Sequence, residues 1–148
     1  LMRIHIGADH AGFEVKNHLV ERLRAAGHDV VDHGPVAYDA LDDYPPFCLS
    51  AAAGVVTDQG SLGIVLGGSG NGEQIAANKV AGVRAALVWN ESTAQLAREH
   101  NDANVVAFGQ RLIGTETARA SLKVFLNTAF EGGRHAGRVA KLSKDLTK

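Results

Sequence analysis

The sequence predicts an α/β fold in which a parallel sheet of five strands is covered by helices. Short apolar runs recur along the chain, and amphipathic segments separate them, which is the alternation expected of successive strand–helix–strand units. The 148 residues suit a single domain, residues 1–148, since one hydrophobic core commonly serves roughly 100–200 residues. With 45% hydrophobic and 21% charged residues, the composition excludes a disordered or collagen-like chain.

The strands are predicted at the short apolar runs. In chain order these runs are Arg3–Ala8, Asp29–His33, Leu62–Leu66, Ala85–Val88 and Val105–Phe108. The first helix is predicted between the first two runs, over Phe13–Ala26. Leu19 and Leu23 fall there at helical spacing, and Gly27 supplies a left-handed stop.

The second helix is predicted from a proline pair. Pro45 and Pro46 can open a helix that runs to about Asp58, and Gly60 can close the turn behind it. A third helix follows the glycine-rich segment after the third strand.

The later helices are predicted from capping residues. Ser92 with Gln95 three residues later resembles a capping box, and Thr115 is a suitable cap for the next helix. The segments predicted from these signals and from the C-terminal pattern are Thr93–His100, Thr115 to near Asn127, and Arg134–Leu146.

Charge and cysteine content predict a cytoplasmic protein with neither a nucleic-acid nor a membrane partner. A net charge of -1 gives no long-range attraction to polyanions. Cys48 is the one cysteine, which favours a reducing compartment, and its predicted helix makes it a small buried hydrophobe. The first residues lack the apolar run of a secretion signal, and no apolar stretch approaches the roughly 20 residues that span a bilayer.

Residues with chemical function are expected at one edge of the sheet. In an open parallel sheet, the loops after the carboxyl ends of the strands form a crevice, where helix N-termini point their amides outward. The loops after the first, third and fifth strands are Ala8–Gly12, Gly67–Gln74 and Gly109–Arg111. These three loops are therefore expected to hold the functional side chains.

The loop Gly67–Gln74 predicts an anion-binding nest. Four glycines in six residues let backbone amides approach a ligand closely. The loop fits neither common phosphate motif, because Glu73 stands where a dinucleotide fingerprint needs its third glycine and where a P-loop needs lysine. An acid beside the nest instead indicates a base that acts on a substrate whose charge develops during the reaction.

Aldose–ketose isomerisation has this requirement. Glu73 would move a proton between adjacent carbons, while the amides of Gly68–Gly72 and the Ser69 hydroxyl stabilise the enediolate. The alternative is a glycine turn in which a solvent-exposed Glu73 only caps the next helix.

Two histidines fall at predicted loops or helix ends. Asp9 and His10 directly follow a strand and could orient a sugar hydroxyl and contact an anion. His100 precedes Asn101, and an imidazole with a pKa of about 6.5 could protonate a furanose ring oxygen. The alternative for His100 is a helix C-terminal histidine favoured by the helix dipole. Metal catalysis has weak support, because Asp9, His10 and His100 have no short ligand spacing.

A set of arginines is suited to phosphate. Arg134 and Arg138 lie four residues apart with His135 beside them, and Arg111 follows the fifth strand. Guanidinium groups bind phosphate oxygens bidentately, so the set could hold a phosphate dianion. The alternative is a solvated basic C-terminus.

Three motifs also resemble a known family. The segments Gly7–Gly12, Gly67–Lys79 and Arg98–Asn101 resemble, at matching intervals, those of the ribose-5-phosphate isomerase B family, which includes galactose-6-phosphate isomerase subunits. The likeness runs from Arg3 to about Leu142.

The resemblance implies a Rossmann-like three-layer sandwich with a C-terminal helix and no metal or cofactor. It implies a homodimer, or alternatively a tetramer, whose active sites take residues from both subunits. The implied reaction interconverts ribose 5-phosphate and ribulose 5-phosphate, a step of the pentose phosphate pathway. An isomerase of allose 6-phosphate or galactose 6-phosphate, or a non-catalytic phosphosugar sensor, remains an alternative.

The resemblance also implies roles for single residues. Glu73 is expected to be the proton-transferring base, and His100 the acid that opens the sugar ring. The enediolate hole is expected from Ser69, Gly68, Gly70, Asn71 and Gly72. Sugar contacts are expected from Asp9, His10 and Asn101, and phosphate contacts from Arg111, Arg134 and Arg138, with His10 and His135 beside them.

The chain departs from the family pattern at the position of the catalytic base. Many family members place a catalytic cysteine at the position of Gly67, and this chain cannot use it. Glu73 in the same loop matches a subtype that employs glutamate instead.

Overall fold

The computed structural model describes residues 1–143, and within them the chain forms an all-parallel sheet and six α-helices. The strands are β1 (Arg3–Ala8), β2 (Asp29–Asp32), β3 (Leu62–Gly67), β4 (Ala85–Leu87) and β5 (Val105–Gly109). The helices are α1 (Phe13–Ala25), α2 (Tyr44–Thr57), α3 (Asn71–Ala77), α4 (Glu91–Asn101), α5 (Gln110–Asn127) and α6 (Arg134–Lys141).

The helices cover both faces of the sheet. One core contains side chains of α1, α4 and α5, such as Leu19 and Phe125, packed on the sheet. The other contains side chains of α2 and α3, including the fully buried Cys48. The expected three-layer Rossmann-like sandwich is confirmed, and Cys48 is the buried hydrophobe that the sequence predicts.

The strand order creates a crevice at the carboxyl ends of the strands. The order is β2-β1-β3-β5-β4, so β1 and β3 are neighbours. The chain leaves these two strands toward opposite faces of the sheet. The chain runs from β1 into α1 on one face and from β3 into α3 on the other. Loops that diverge at such a reversal leave a cleft between them.

The first two helices begin and end as predicted, within one residue. Gly27 adopts a φ of 93° behind α1, and Gly60 a φ of 86° behind α2. Pro45 and Pro46 lie in the first turn of α2, where their missing N–H groups need no partner within the helix.

The predicted cap of α4 is wrong. Asn90, not Ser92, is the N-cap: Thr93 N–H donates to Asn90 Oδ1 at 2.9 Å, and Asn90 N–H donates to Thr93 Oγ1 at 3.2 Å. The asparagine carbonyl and the threonine hydroxyl form the same reciprocal pair as a serine–glutamate box, so α4 starts two residues earlier than predicted.

Two more helix boundaries are compared with the prediction. The helical turn Gln110–Ile113 precedes the predicted start of α5, and a break at Gly114, with a φ of 72°, separates this turn from Thr115 and the rest of the helix. The predicted end of the last helix at Leu146 lies outside the described residues. In the part of the chain that is described, no helix has the length and apolar character needed to cross a bilayer.

Two histidines join the sheet to α2 through a chain of hydrogen bonds. His5 Nε2 donates to Asp58 Oδ2 at 2.8 Å, and His5 Nδ1 lies 2.9 Å from His33 Nε2. Ser50 Oγ lies 2.7 Å from His33 Nδ1. Burial and the neighbouring His5 lower the pKa of His33, and Asp32 opposes them.

This lowered pKa predicts a loss of stability in acid. Because the unfolded chain protonates His33 more readily than the folded protein, stability should fall as the pH drops below about 6.5 and level off below the lowered folded pKa. His33→Asn should flatten this part of the stability curve, measured by urea unfolding between about pH 7.5 and about pH 5. His18→Asn on α1 is the control and should keep the wild-type slope. An unchanged slope in His33→Asn would contradict the prediction.

Candidate active site

Three loops meet at the carboxyl ends of β1, β3 and β5. The Asp9 amide donates to the Leu66 carbonyl at 3.3 Å, and the Arg111 amide donates to the Gly68 carbonyl at 3.1 Å. The backbone at Gly109 approaches Ser69 so closely that a Cβ at position 109 would lie 2.5 Å from the Ser69 carbonyl carbon. The structure thus brings together the three loops that the sequence points to.

Glu73 is buried beneath the glycine loop. It lies in the first turn of α3, yet only 4% of the residue is exposed. A Cβ at Gly67 would overlap its carboxylate, so the glycine leaves the space that this carboxylate fills. The alternative in which Glu73 is a solvent-exposed cap is therefore wrong for this chain.

Burial determines the acidity of Glu73. It raises the pKa of Glu73, and the nearby Asp9 carboxylate raises it further, whereas hydrogen bonds from the amides of Glu73 and Gly70 oppose the shift. Burial also raises the pKa of Cys48, with Glu73 and Asp9 adding to the effect, so this thiol stays protonated. A raised pKa makes the Glu73 carboxylate a stronger base than an exposed glutamate.

The candidate enediolate hole is only partly free. Asn71 N–H donates to Ser69 Oγ at 3.2 Å, which leaves the Ser69 hydroxyl proton available for a ligand. Gly70 has a φ of 84°, which turns the chain into α3. Gly68 leaves room for the Arg111 side chain, whose Nη1 would lie 3.3 Å from a Cβ there. Arg111 therefore lies against the glycine loop.

Asp9 and His10 are held by different partners. Asp9 Oδ1 accepts hydrogen bonds from the amides of Ala11 and Gly12 at 2.9 and 3.3 Å, which fixes the loop after β1. His10 donates from its backbone N–H and from Nδ1 to Asp42 Oδ1, both at 2.8 Å. Because a carboxylate only accepts, Nδ1 carries the proton, and Nε2 is the nitrogen left for a ligand.

Asp42 is a functional candidate that the sequence reasoning missed. Its hydrogen bond raises the pKa of His10, and Asp9 adds to the effect. Its second oxygen, Oδ2, is buried and has no hydrogen-bond partner among the described residues. The acidic segment before Pro45 was the available signal, but the contact joins residues 32 positions apart.

Asp42→Asn tests this pair. Removing the carboxylate should lower the pKa of His10, so the imidazolium is lost at a lower pH. If the cation contacts the phosphate of a sugar phosphate, KM should rise by about tenfold in the pH range between the two pKa values, with kcat little changed. A series of KM values against pH measures the shift.

Asp39→Asn is the matched control, because Asp39 lies in the same loop and accepts a hydrogen bond from the Leu41 amide rather than from His10. This variant should keep the wild-type profile. A wild-type profile for Asp42→Asn as well would remove Asp42 from any role in positioning His10.

His100 and Asn101 do not lie at this edge of their own chain. They end α4, which runs from the carboxyl end of β4 back to the amino end of β5. The Asn101 carbonyl accepts a hydrogen bond at 3.1 Å from Nε of Arg84, which directly precedes β4. These residues therefore lie at the opposite edge of the sheet from Glu73.

Residues of α6 lie beside His100 at the end of α4. The His135 ring stacks on the His100 ring with centroids 4.2 Å apart and planes 15° from parallel. Burial lowers the pKa of His135, and His100, Arg134 and Arg138 lower it further. The candidate residues thus form two sets: a crevice set of Asp9, His10, Ser69, Glu73, Arg111 and the glycine-loop amides, and a distal set of His100, Asn101, Arg134, His135 and Arg138.

The chain is similar to known proteins over nearly its whole length. Residues 4–142 match the ribose/galactose isomerase family. The ribose-5-phosphate isomerase B of Mycobacterium tuberculosis is 51% identical over 144 residues, which are 97% of this chain and 89% of that protein. The Escherichia coli protein of the same name is 39% identical, over 97% of this chain and 95% of its own.

Solved structures give the same result. The ribose-5-phosphate isomerase B of Mycoplasma genitalium, solved with bound ribulose-5-phosphate, superimposes with a TM-score of 0.92 at 42% identity, covering 96% of this chain and 94% of that one. The Clostridium thermocellum structure has a TM-score of 0.91 at 42% identity, covering 96% of this chain and 95% of that one.

Proposed function

Because the chain belongs to the ribose/galactose isomerase family, we propose that it interconverts D-ribose 5-phosphate and D-ribulose 5-phosphate through an enediolate. The chain is an isomerase, as its named relatives are. One observation carries the proposal: a buried carboxylate, Glu73, fills the space left by Gly67 at the carboxyl end of β3, within a loop of backbone amides. This reaction would place the enzyme in the pentose phosphate pathway.

Ring opening precedes the isomerisation. We assign the proton that enters the furanose ring oxygen to His100, and we assign the Asp9 carboxylate as the group that accepts the proton leaving the O1 hydroxyl. Breaking the ring bond as these protons move gives the open-chain aldehyde. Arg111, Arg134 and Arg138 hold the phosphate meanwhile, with His10 as a further cation, and this remote binding energy fixes the reacting carbons against Glu73.

Proton transfer then needs one base. The Glu73 carboxylate removes the C2 proton, and the electron pair of that bond moves through C1 to the aldehyde oxygen, giving the enediolate. The Ser69 hydroxyl and loop amides, Gly68 and Gly72 among them, stabilise this oxygen. Glu73 returns its proton to C1 while the O2 proton passes to O1, which yields the ketose. The sequence of steps uses no metal and no cofactor.

The reaction requires a second copy of the chain. His100 and Glu73 lie at opposite edges of one sheet, so a symmetric homodimer is the simplest arrangement that joins the two sets, each crevice receiving the distal set of its partner. Several large apolar side chains are exposed in the single chain: Ile75 is 60% exposed, Trp89 47% and Leu142 63%. Burying them would favour association. A cytoplasmic location stays a prediction.

The decisive assay follows ketose formation from ribose 5-phosphate in the presence of EDTA. Turnover is expected, and a folded sample without turnover would reject the proposal. Allose 6-phosphate and galactose 6-phosphate, assayed in parallel, should be poorer substrates; a higher kcat/KM for either would reassign the substrate. If the protein were a sensor, it would bind the sugar phosphate in deuterated water without incorporating deuterium at carbon.

A further inference from the structure

We propose that His100, Glu131 and His135 form a binding site for Zn²⁺ or a similar transition-metal ion, and that the bound ion inhibits the enzyme. The segment before α6 brings Glu131 to the end of α4, where the Glu131 amide donates to the Glu99 carbonyl at 3.1 Å. The three side chains offer one ligand atom each, and these atoms all lie within 4.8 Å of one another. The binding site stands on this geometry alone, whereas its inhibitory effect rests on the proposed function.

The distances are close to those of a metal site. In a tetrahedral zinc site with bonds of about 2.0–2.1 Å, neighbouring ligand atoms lie about 3.3 Å apart. His135 Nε2 lies 3.7 Å from Glu131 Oε2, and the two stacked rings have centroids 4.2 Å apart. Side-chain rotations that move each ligand atom by less than about an ångström would therefore suffice, with the His100 and His135 rings tilting so that their nitrogens converge.

His135 supplies an independent observation. The residue is only 5% exposed, and its Nε2 atom is buried with no hydrogen-bond partner among the described residues. Buried polar atoms in folded proteins nearly always have a partner, and this nitrogen lies beside the Glu131 carboxylate and the His100 imidazole. A metal ion shared with His100 and Glu131 would satisfy this nitrogen.

The donor set selects the class of ion. Two imidazoles and one carboxylate suit Zn²⁺, Cu²⁺ or Ni²⁺, whereas Mg²⁺ and Ca²⁺ prefer oxygen ligands. Arg134 and Arg138 on α6 oppose a cation, so we expect weaker binding than at a structural zinc site.

A second cluster of similar composition is less suitable. Asp9, His10 and Asp42 also place ligand atoms within 4.8 Å of one another. There Asp9 Oδ1 already holds two backbone amides, and His10 Nδ1 already donates to Asp42. A metal ion bound at Asp9 Oδ1 or at His10 Nδ1 would have to displace those bonds, whereas His135 Nε2 has no hydrogen bond to lose.

Inhibition follows from the role assigned to His100. A nitrogen that is bound to a metal ion cannot deliver a proton to the ring oxygen, so Zn²⁺ should slow turnover of ribose 5-phosphate. EDTA should restore the rate. The enzyme would thus be inactivated by free zinc at a residue that its metal-free mechanism requires.

The test uses the full chain. Zn²⁺ is titrated by calorimetry, and Co²⁺ serves as a spectroscopic probe through its visible absorption, for the wild type, Glu131→Gln and His135→Asn. We expect binding of one ion per chain, weakened at least about tenfold in both variants. His18→Asn should bind like the wild type, and thermal melts show that each variant is folded. Because Glu131→Gln preserves size and shape, it tests the site even if His135→Asn does not fold.

The outcomes separate the two proposals. Binding that is absent in the wild type, equal in Glu131→Gln, or lost in Asp42→Asn instead would overturn the metal site. Binding that depends on Glu131 in a protein without isomerase activity would leave the site in place and reject the proposed function. Activity in EDTA with no response to Zn²⁺ would support the proposed function and overturn the inhibitory metal site.

Discussion

Glu73→Gln is expected to lower kcat for ribose 5-phosphate isomerisation by at least about 100-fold, because a positioned general base contributes roughly 10²–10⁴-fold. The amide keeps the shape of the side chain but cannot accept the C2 proton. KM should change little if, as proposed, the arginines rather than Glu73 bind the phosphate. Initial rates of ketose formation over a range of substrate concentrations measure both constants.

Glu91→Gln is the matched control. Glu91 is also an acid in the first turn of a helix, α4, but it is exposed. A role for Glu73 limited to the helix dipole would give the two variants similar, small effects. A kcat near the wild-type value in folded Glu73→Gln would remove this residue from the mechanism.

The fold could be predicted because the apolar runs and turn residues that indicate each strand and helix lie within that element or next to it in the sequence. The strand boundaries fall within about one residue of the apolar runs, since a sheet buried on both faces selects such runs. The errors also have a local cause. Asn90 and Thr93 form a capping box as well as Ser92 and Gln95 would, and only the backbone geometry decides between them.

The crevice loops could be predicted for a similar reason. Gly67–Gln74 carries the glycines and the acid in one segment, and parallel strands bring the loops after β1, β3 and β5 to one edge whatever the detailed packing. The burial of Glu73 could not be read in this way, because it depends on the absence of a side chain at Gly67.

The remaining site residues depend on contacts between distant parts of the chain. Asp42 meets His10 across 32 positions, and His135 stacks on His100 from another helix. The sequence at the end of a helix does not indicate whether that end lies at the amino ends or at the carboxyl ends of the strands. The position of His100 follows from the path of α4 between β4 and β5, and this path is a property of the whole topology.

The proposed sharing of each active site between two chains predicts a cis–trans difference between mixed dimers. Glu73→Gln and His100→Asn should each lose at least about 100-fold in kcat as homodimers. A heterodimer with one change in each chain, purified through two different tags, contains one crevice with Glu73 from one chain and His100 from the other. It should therefore recover about half of the wild-type activity.

The converse heterodimer carries both changes in one chain and none in the other. Its first crevice lacks Glu73 and its second lacks the partner's His100, so activity near zero is expected. A site contained within one chain would invert the two results, because the unaltered chain would then keep about half of the activity and the first heterodimer would be inactive. The pair of measurements thus decides whether the distance between Glu73 and His100 in one chain is closed by a second chain, and no partial loss of stability in either variant can produce the inversion.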